Sequence, residues 1–140
     1  MQPITDYRLA QPPGESTPRP LRMPLLYSNG RETGCKVPGF VLLHQFRVGV
    51  ETLLITDWDC PCEEATEVML LDATHRQVAR RSFGAMYSSW ALRQVEVVDT
   101  RRLRLDFCGG PSLRVAVRDA APWWSPAAWR SRLAVESVLD

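Results

Sequence analysis

Along residues 40–118 short apolar runs alternate with turn signals at intervals of roughly 8 to 12 residues, the rhythm of an antiparallel β meander. The runs cover 40–48, 50–58, 66–72, 76–83, 90–98, 101–108 and 112–118. Two of them are apolar at adjacent positions: Leu53, Leu54 and Ile55 in one, Val68 to Leu71 in the other. A strand with solvent on one face would alternate, so these two are expected to be covered on both faces. The last two runs do alternate. Leu103, Leu105 and Phe107 share one face, with Arg102, Arg104 and Asp106 on the other. Leu113, Val115 and Val117 repeat the pattern, opposite Arg114 and Arg118. A hairpin must bring both apolar sets to one side, so its register can slip only by even steps. Pairing Phe107 with Leu113, Leu105 with Val115 and Leu103 with Val117 meets that condition. It leaves Gly109, Gly110 and Pro111 as the loop and sets Asp106 opposite Arg114.

The two ends of the chain differ from this middle. Residues 1–24 hold six of the eleven prolines and few large apolar side chains. Proline fixes φ and lacks an N–H, so this segment suits an extended arm rather than a helix or a central strand. Residues 28–34, with two glycines, read as a turn or loop. Near the C-terminus the period changes. Ser125 is a candidate N-cap and Pro126 a first helical residue. Ala128, Ala134, Val135, Val138 and Leu139 then fall on one helical stripe, and Trp129 and Leu133 on a second. The expected fold is therefore mainly β: an antiparallel meander of about seven strands, as a sandwich or open barrel, with a C-terminal helix over 126–138. The arm would span 1–24 and a single domain 25–140.

Length agrees with that: 140 residues make one domain able to bury roughly two-thirds of its unfolded surface without a metal or disulfide staple. No apolar leader and no run of membrane-spanning length stands out, so the expectation is a cytoplasmic protein, with Cys35, Cys60, Cys62 and Cys108 as thiols. A net charge of +1 gives no global field toward nucleic acid or an anionic membrane, and neither is expected as a partner. That neutrality is an average of opposed blocks. Residues 48–75 carry seven acids and no Lys or Arg, whereas residues 76–118 carry nine Arg against three acids. The blocks either neutralise each other across neighbouring strands or present an acidic surface to a basic partner.

The acids concentrate in "DWDCPCEEATE", residues 57–67, which holds Asp57, Asp59, Glu63, Glu64 and Glu67 beside Cys60 and Cys62. Two thiolates with one intervening residue do not suit a tetrahedral zinc site, which favours two to four. A calcium loop of the EF-hand type fails because its sixth position would be Cys62 and its twelfth Val68. Neighbouring carboxylates raise a thiol's pKa, which argues against a cysteine nucleophile. The reading is no metal, no cofactor and no catalytic constellation. The five acids are the expected contact for a protein partner with a basic surface, and a homodimer is left open. The alternative is a small-ligand-binding β-barrel, or an enzyme built on one, with Tyr87, Ser89 and Trp90 of "MYSSW" lining its pocket. Three tryptophans in "PWWSPAAW" would cover the sheet, or act as a hot spot if exposed.

The stretch "LLITDWDCPCEEATEVMLLD", with "RRSFGAMYSSW" and "LRLDFCGGPSLRVAV" after it, resembles a pattern in small bacterial proteins of uncharacterised function. There a strand leads into an Asp-Cys-Pro-x-Glu-Glu turn, a Leu-Leu-Asp strand, a Gly-x-x-Tyr turn and a closing hairpin. Asp59, Cys60, Pro61, Glu63 and Glu64 match the first turn, and Gly84 and Tyr87 the second. Such proteins occur beside secreted polymorphic toxins, so the resemblance implies an immunity or accessory role. It covers about residues 40–117 and assigns no functional residues. The function expected is thus a non-enzymatic protein-binding module, an immunity or accessory protein that neutralises a cognate bacterial toxin.

Overall fold

The computed structural model describes residues 1–10, 25–39, 41–57, 65–84, 91–122, 124–126 and 131–138. The N-terminal part contributes β1 (Gln2–Pro3), β2 (Tyr7–Ala10), β3 (Leu25–Ser28) and β4 (Arg31–Lys36). The meander follows as β5 (Val41–Val48), β6 (Glu51–Asp57), β7 (Thr66–Leu71), β8 (Gln77–Phe83), β9 (Ala91–Val97), β10 (Arg102–Cys108) and β11 (Ser112–Val117), and the last strand is β12 (Leu133–Ser137). A central sheet runs in the order β1-β5-β6-β7-β8, a second sheet is β12-β11-β10-β9, and a small N-terminal sheet is β2-β3-β4. The seven runs of the meander therefore each become a strand, but they divide between two sheets after β8.

Three layers result, and β6 and β7 lie in the middle one. Leu53, Ile55, Val68 and Leu70 point into a core shared with Leu103, Leu105, Val115 and Leu133 of the second sheet. Leu54, Met69 and Leu71 point the other way, onto Tyr7, Leu26 and Val37. This two-sided cover is why β6 and β7 are apolar at adjacent positions. Each fully buried Leu among them contributes roughly 1.5–3 kcal/mol of transfer free energy.

The β10–β11 hairpin keeps the expected parity but sits one pleat away. Leu103 pairs with Val115, Leu105 with Leu113 and Asp106 with Ser112. Both apolar sets still face the core, since a shift of two residues preserves the face. Arg104 now stands opposite Arg114, and Asp106 faces Ser112 rather than Arg114. Asp106 accepts hydrogen bonds from Ser112 Oγ at 2.5 Å and from Arg104 Nε at 3.1 Å, so the aspartate serves two partners on its own face. Glu96 of β9 lies across from Arg104, and Glu136 of β12 across from Arg114. The outer face of this sheet thus reads acid, base, base, acid across its four strands, which tolerates the adjacent arginines.

The C-terminal helix is not formed over its described part. Leu133–Ser137 is a strand antiparallel to β11, with Val115 opposite Val135 and Val117 opposite Leu133. Leu133 is fully buried, whereas Glu136 and Ser137 are exposed. The short segment satisfies period two as well as a helical stripe, and pairing with β11 supplies backbone hydrogen bonds together with a buried face. Ser125 N donates to Pro122 O at 2.9 Å, closing a turn where the N-cap was expected. Residues 127–130, including Ala128 and Trp129, lie outside the described residues.

The proline-rich start behaves as edge material. Gln2 and Pro3 pair with Arg47 and Phe46 at the rim of the central sheet, and β2 is an outer strand of the N-terminal sheet. Residues 11–24 lie outside the described residues. The stretch 28–34 is more than a loop. Asn29 and Gly30 both have positive φ (51° and 81°), the geometry of a type I′ turn, and they join β3 to β4.

Candidate functional site

Most described acids of the 48–75 block are committed within the molecule. Odd-numbered positions of β7 face the N-terminal sheet, so Glu67 is buried at 3% exposure. Ser82 stands opposite it on β8, with Arg80 on the same face. Arg80 binds it in a fork, Nε to Oε2 at 3.0 Å and Nη2 to Oε1 at 3.2 Å, and Ser82 Oγ adds a bond of 2.5 Å. A buried carboxylate needs such saturation to offset its lost hydration. Glu67 therefore serves its own fold, contrary to the expectation that it meets a partner. Glu51 binds Arg132 Nη2 at 2.6 Å. Asp72 closes the β7–β8 turn by accepting from Thr74 N, Thr74 Oγ1 and Arg76 N. Those bonds, led by the Thr74 hydroxyl, hold its carboxyl below the usual carboxylate range.

Asp57 ends β6 opposite Val41 and is half-buried. Asp59, Glu63 and Glu64 lie outside the described residues, with Cys60 and Cys62. So do Tyr87, Ser89 and Trp90, the expected pocket lining. Cys35 lies half-buried in β4 and Cys108 is exposed at the end of β10. Burial raises the Cys35 thiol pKa, the opposite of what a nucleophile needs. No three metal-ligating side chains gather among the described residues. Trp124 stands 72% exposed.

His75 holds the β7–β8 turn against the N-terminal sheet. It occupies the third loop position of the β7–β8 turn with φ at 64°, where glycine is usual. Its Nε2 lies 3.0 Å from Tyr7 Oη, and the two rings meet edge-on. The turn and β2 are thereby fastened together, and the histidine is half-buried.

The open feature of the surface is a wedge between the two large sheets. On one flank of the sandwich they are stitched together: Arg81 Nε of β8 donates to Leu133 O of β12 at 3.2 Å. On the other flank β5 and β9 diverge around a cavity of about 390 Å³. Ile4, Leu43, His44, Phe46, Val95 and Val97 line it. The local sequence explains the opening. β5 carries a bulge between Leu42 and His44, which turns Leu43 outward, 37% exposed. β1 pairs only with Arg47 and Phe46, Ile4 N then donates to Gln45 O, and the chain leaves the rim. The Gln45 side chain captures it on the far side, through Tyr7 N and Tyr7 O. The His44 ring runs parallel to that of Phe46 with centroids 6.2 Å apart, and partial desolvation lowers its pKa. Val95 and Val97 pair with Leu105 and Leu103, so they face inward, yet Val97 is 38% exposed.

None of the wedge residues was singled out from sequence. "FVLLHQFRV" and "ALRQVEV" announce strands, but the bulge and the uncovered flank arise only from how many strands each sheet recruits. Comparisons with protein-family models, with curated proteins and with solved structures give no match for the chain.

Proposed function

We propose that the protein is a non-enzymatic protein-binding module, and within that class an immunity or accessory protein that neutralises a cognate bacterial toxin. The observation that carries the binding reading is the wedge: inward-facing Val95 and Val97 and outward-turned Leu43 leave apolar surface uncovered beside β9, which pairs with β10 alone among the described residues. Between the sheets the space is filled by side chains, which favours a surface-binding protein over a hollow barrel. Of the five acids, Glu67 is withdrawn from the partner contact because Arg80 and Ser82 hold it internally. The acidic contact is then Asp57, Asp59, Glu63 and Glu64, of which the last three are tested. Charge there would speed encounter with a basic surface, while apolar burial in the wedge would supply most of the affinity.

The test uses the product of the gene adjacent to its own. The triple variant Asp59→Lys, Glu63→Lys, Glu64→Lys should bind that product at least about tenfold more weakly and lose growth protection on co-expression, with an unchanged thermal midpoint. Full binding by the triple variant would remove the acidic contact. A small-ligand role is the second reading, supported by a wedge volume within the roughly 300–1,000 Å³ usual for such sites.

A further inference from the structure

We infer that the wedge is a strand-acceptor site: an extended segment of a protein partner adds to the outer edge of β9 and completes the second sheet as its fifth strand. This rests on the protein-binding reading and specifies how the partner binds.

The argument starts from strand numbers. The central sheet has five strands and the facing sheet four. β12 meets β8 on the stitched flank, and β9 meets β5 across the wedge. β1 therefore overhangs as the extra strand, and Pro3 and Ile4 line the wedge together with Val95 and Val97 of β9. β9 is the terminal strand of its sheet and pairs with β10 alone among the described residues. Its seven residues leave a row of backbone donors and acceptors directed outward. A strand laid along that row would gain main-chain hydrogen bonds. Its alternate side chains would enter the wedge against Ile4, Leu43 and Phe46. The chain already uses this kind of bond on the facing sheet, where β1 adds to the rim of β5 for two residues.

The occupant is a single donated strand rather than a second copy of the chain. If β9 paired with its counterpart in another copy, each overhanging β1 would fall beneath the other copy's β9. Two overhangs cannot share one inter-sheet space about 10 Å deep. Charge sets the chemistry of the donated strand. Leu92 stands opposite Phe107, which packs on Phe83, and Phe83 stands opposite Thr66, itself opposite Asp57. The Ala91 end of β9 thus shares its end of the molecule with the Asp57 carboxylate at the close of β6. A strand of alternating apolar and basic residues fits both the wedge and that end.

The probe is a capped octapeptide alternating valine and lysine. Two controls accompany it: the same peptide N-methylated at alternate amides, and a valine–glutamate version. Expected are saturable binding to the full chain, slowed hydrogen exchange at the amides of Ala91–Val97, and at least tenfold weaker binding of both controls. Val97→Arg, which fills the wedge at an already exposed position, should also weaken binding at least tenfold while leaving the unfolding midpoint in place. No binding at millimolar peptide, protection elsewhere, or equal binding of the N-methylated peptide overturns the strand-acceptor inference. Equal binding of the N-methylated peptide, combined with loss of binding in the Asp59, Glu63, Glu64 triple variant, leaves the acidic contact standing. Protection of β9 that survives that triple variant removes the acidic contact and keeps the acceptor site.

Discussion

The sandwich has two flanks built from the same kinds of strand, and they end differently. On the stitched flank β12 returns to the second sheet, buries Leu133 completely, and accepts an Arg81 hydrogen bond through its carbonyl. Arg132, just ahead of it, reaches Glu51 at the start of β6, and both side chains are mostly covered (17% and 16% exposed). On the open flank Val97 and Leu43 remain more than a third exposed. An ion pair on that side, Arg47 with Asp6 at 3.4 Å, is solvated at both side chains. A strand edge is satisfied when the chain supplies one more strand. One flank received that strand from the C-terminus, and the other received only the two residues of β1.

The largest consequence is in stability. Leu133→Ala should cost about 2–5 kcal/mol, because it empties a fully enclosed position between the sheets. Val97→Ala should cost under about 1 kcal/mol, since much of that side chain already meets water. Urea midpoints at constant slope measure both. Equal losses would mean that the wedge is as tightly packed as the stitched flank, and the contrast would fail.

A smaller difference separates the ion pairs. Arg132→Ala strands Glu51 in a covered site and should cost about 2–4 kcal/mol with little dependence on salt. Arg47→Ala should cost less than about 1 kcal/mol, and raising the ionic strength should erase most of it. Thermal melts of both variants at low and at molar salt separate the two cases. A salt-sensitive Arg132 effect would show that the stitched flank is wetter than its geometry implies.

The same contrast explains what could be read in advance. Alternation in 101–118 shows which residues face the core, and unbroken apolarity in β6 and β7 shows that two layers must cover them. Both features are local, so both are visible in a linear string. The exact pairing of β10 with β11 is not, because a two-residue shift leaves every face unchanged. The C-terminal segment is ambiguous for a related reason. Ala134, Val135 and Val138 satisfy a helical stripe, while Leu133 and Val135 satisfy a strand, and only an available edge on β11 decides between them. β3 and β4 did carry a signal in Asn29-Gly30, but the polar sequence of Arg31–Lys36 concealed the strand after the turn. The wedge had none, since an uncovered flank reflects a strand the sequence lacks.

The smallest effect concerns His44, an exposed side chain at the wedge whose ring runs parallel to that of Phe46. Partial desolvation favours its neutral form and lowers its pKa from the ordinary 6.5. The stabilising term is therefore complete above the unfolded value and declines as pH falls from there through the lowered folded value. Between pH 8 and pH 5 the native chain should lose stability relative to His44→Gln, by a margin visible only as a difference between paired denaturation curves. Arg81 stays charged throughout this range, so Arg81→Gln should leave that pH difference intact. A strand seated in the wedge would take more water from His44 and deepen the dependence. Valine–lysine peptide binding should then weaken on acidification in the native chain and stay level in His44→Gln. A flat difference curve without peptide, together with pH-independent peptide binding, would place His44 outside the surface that the strand covers.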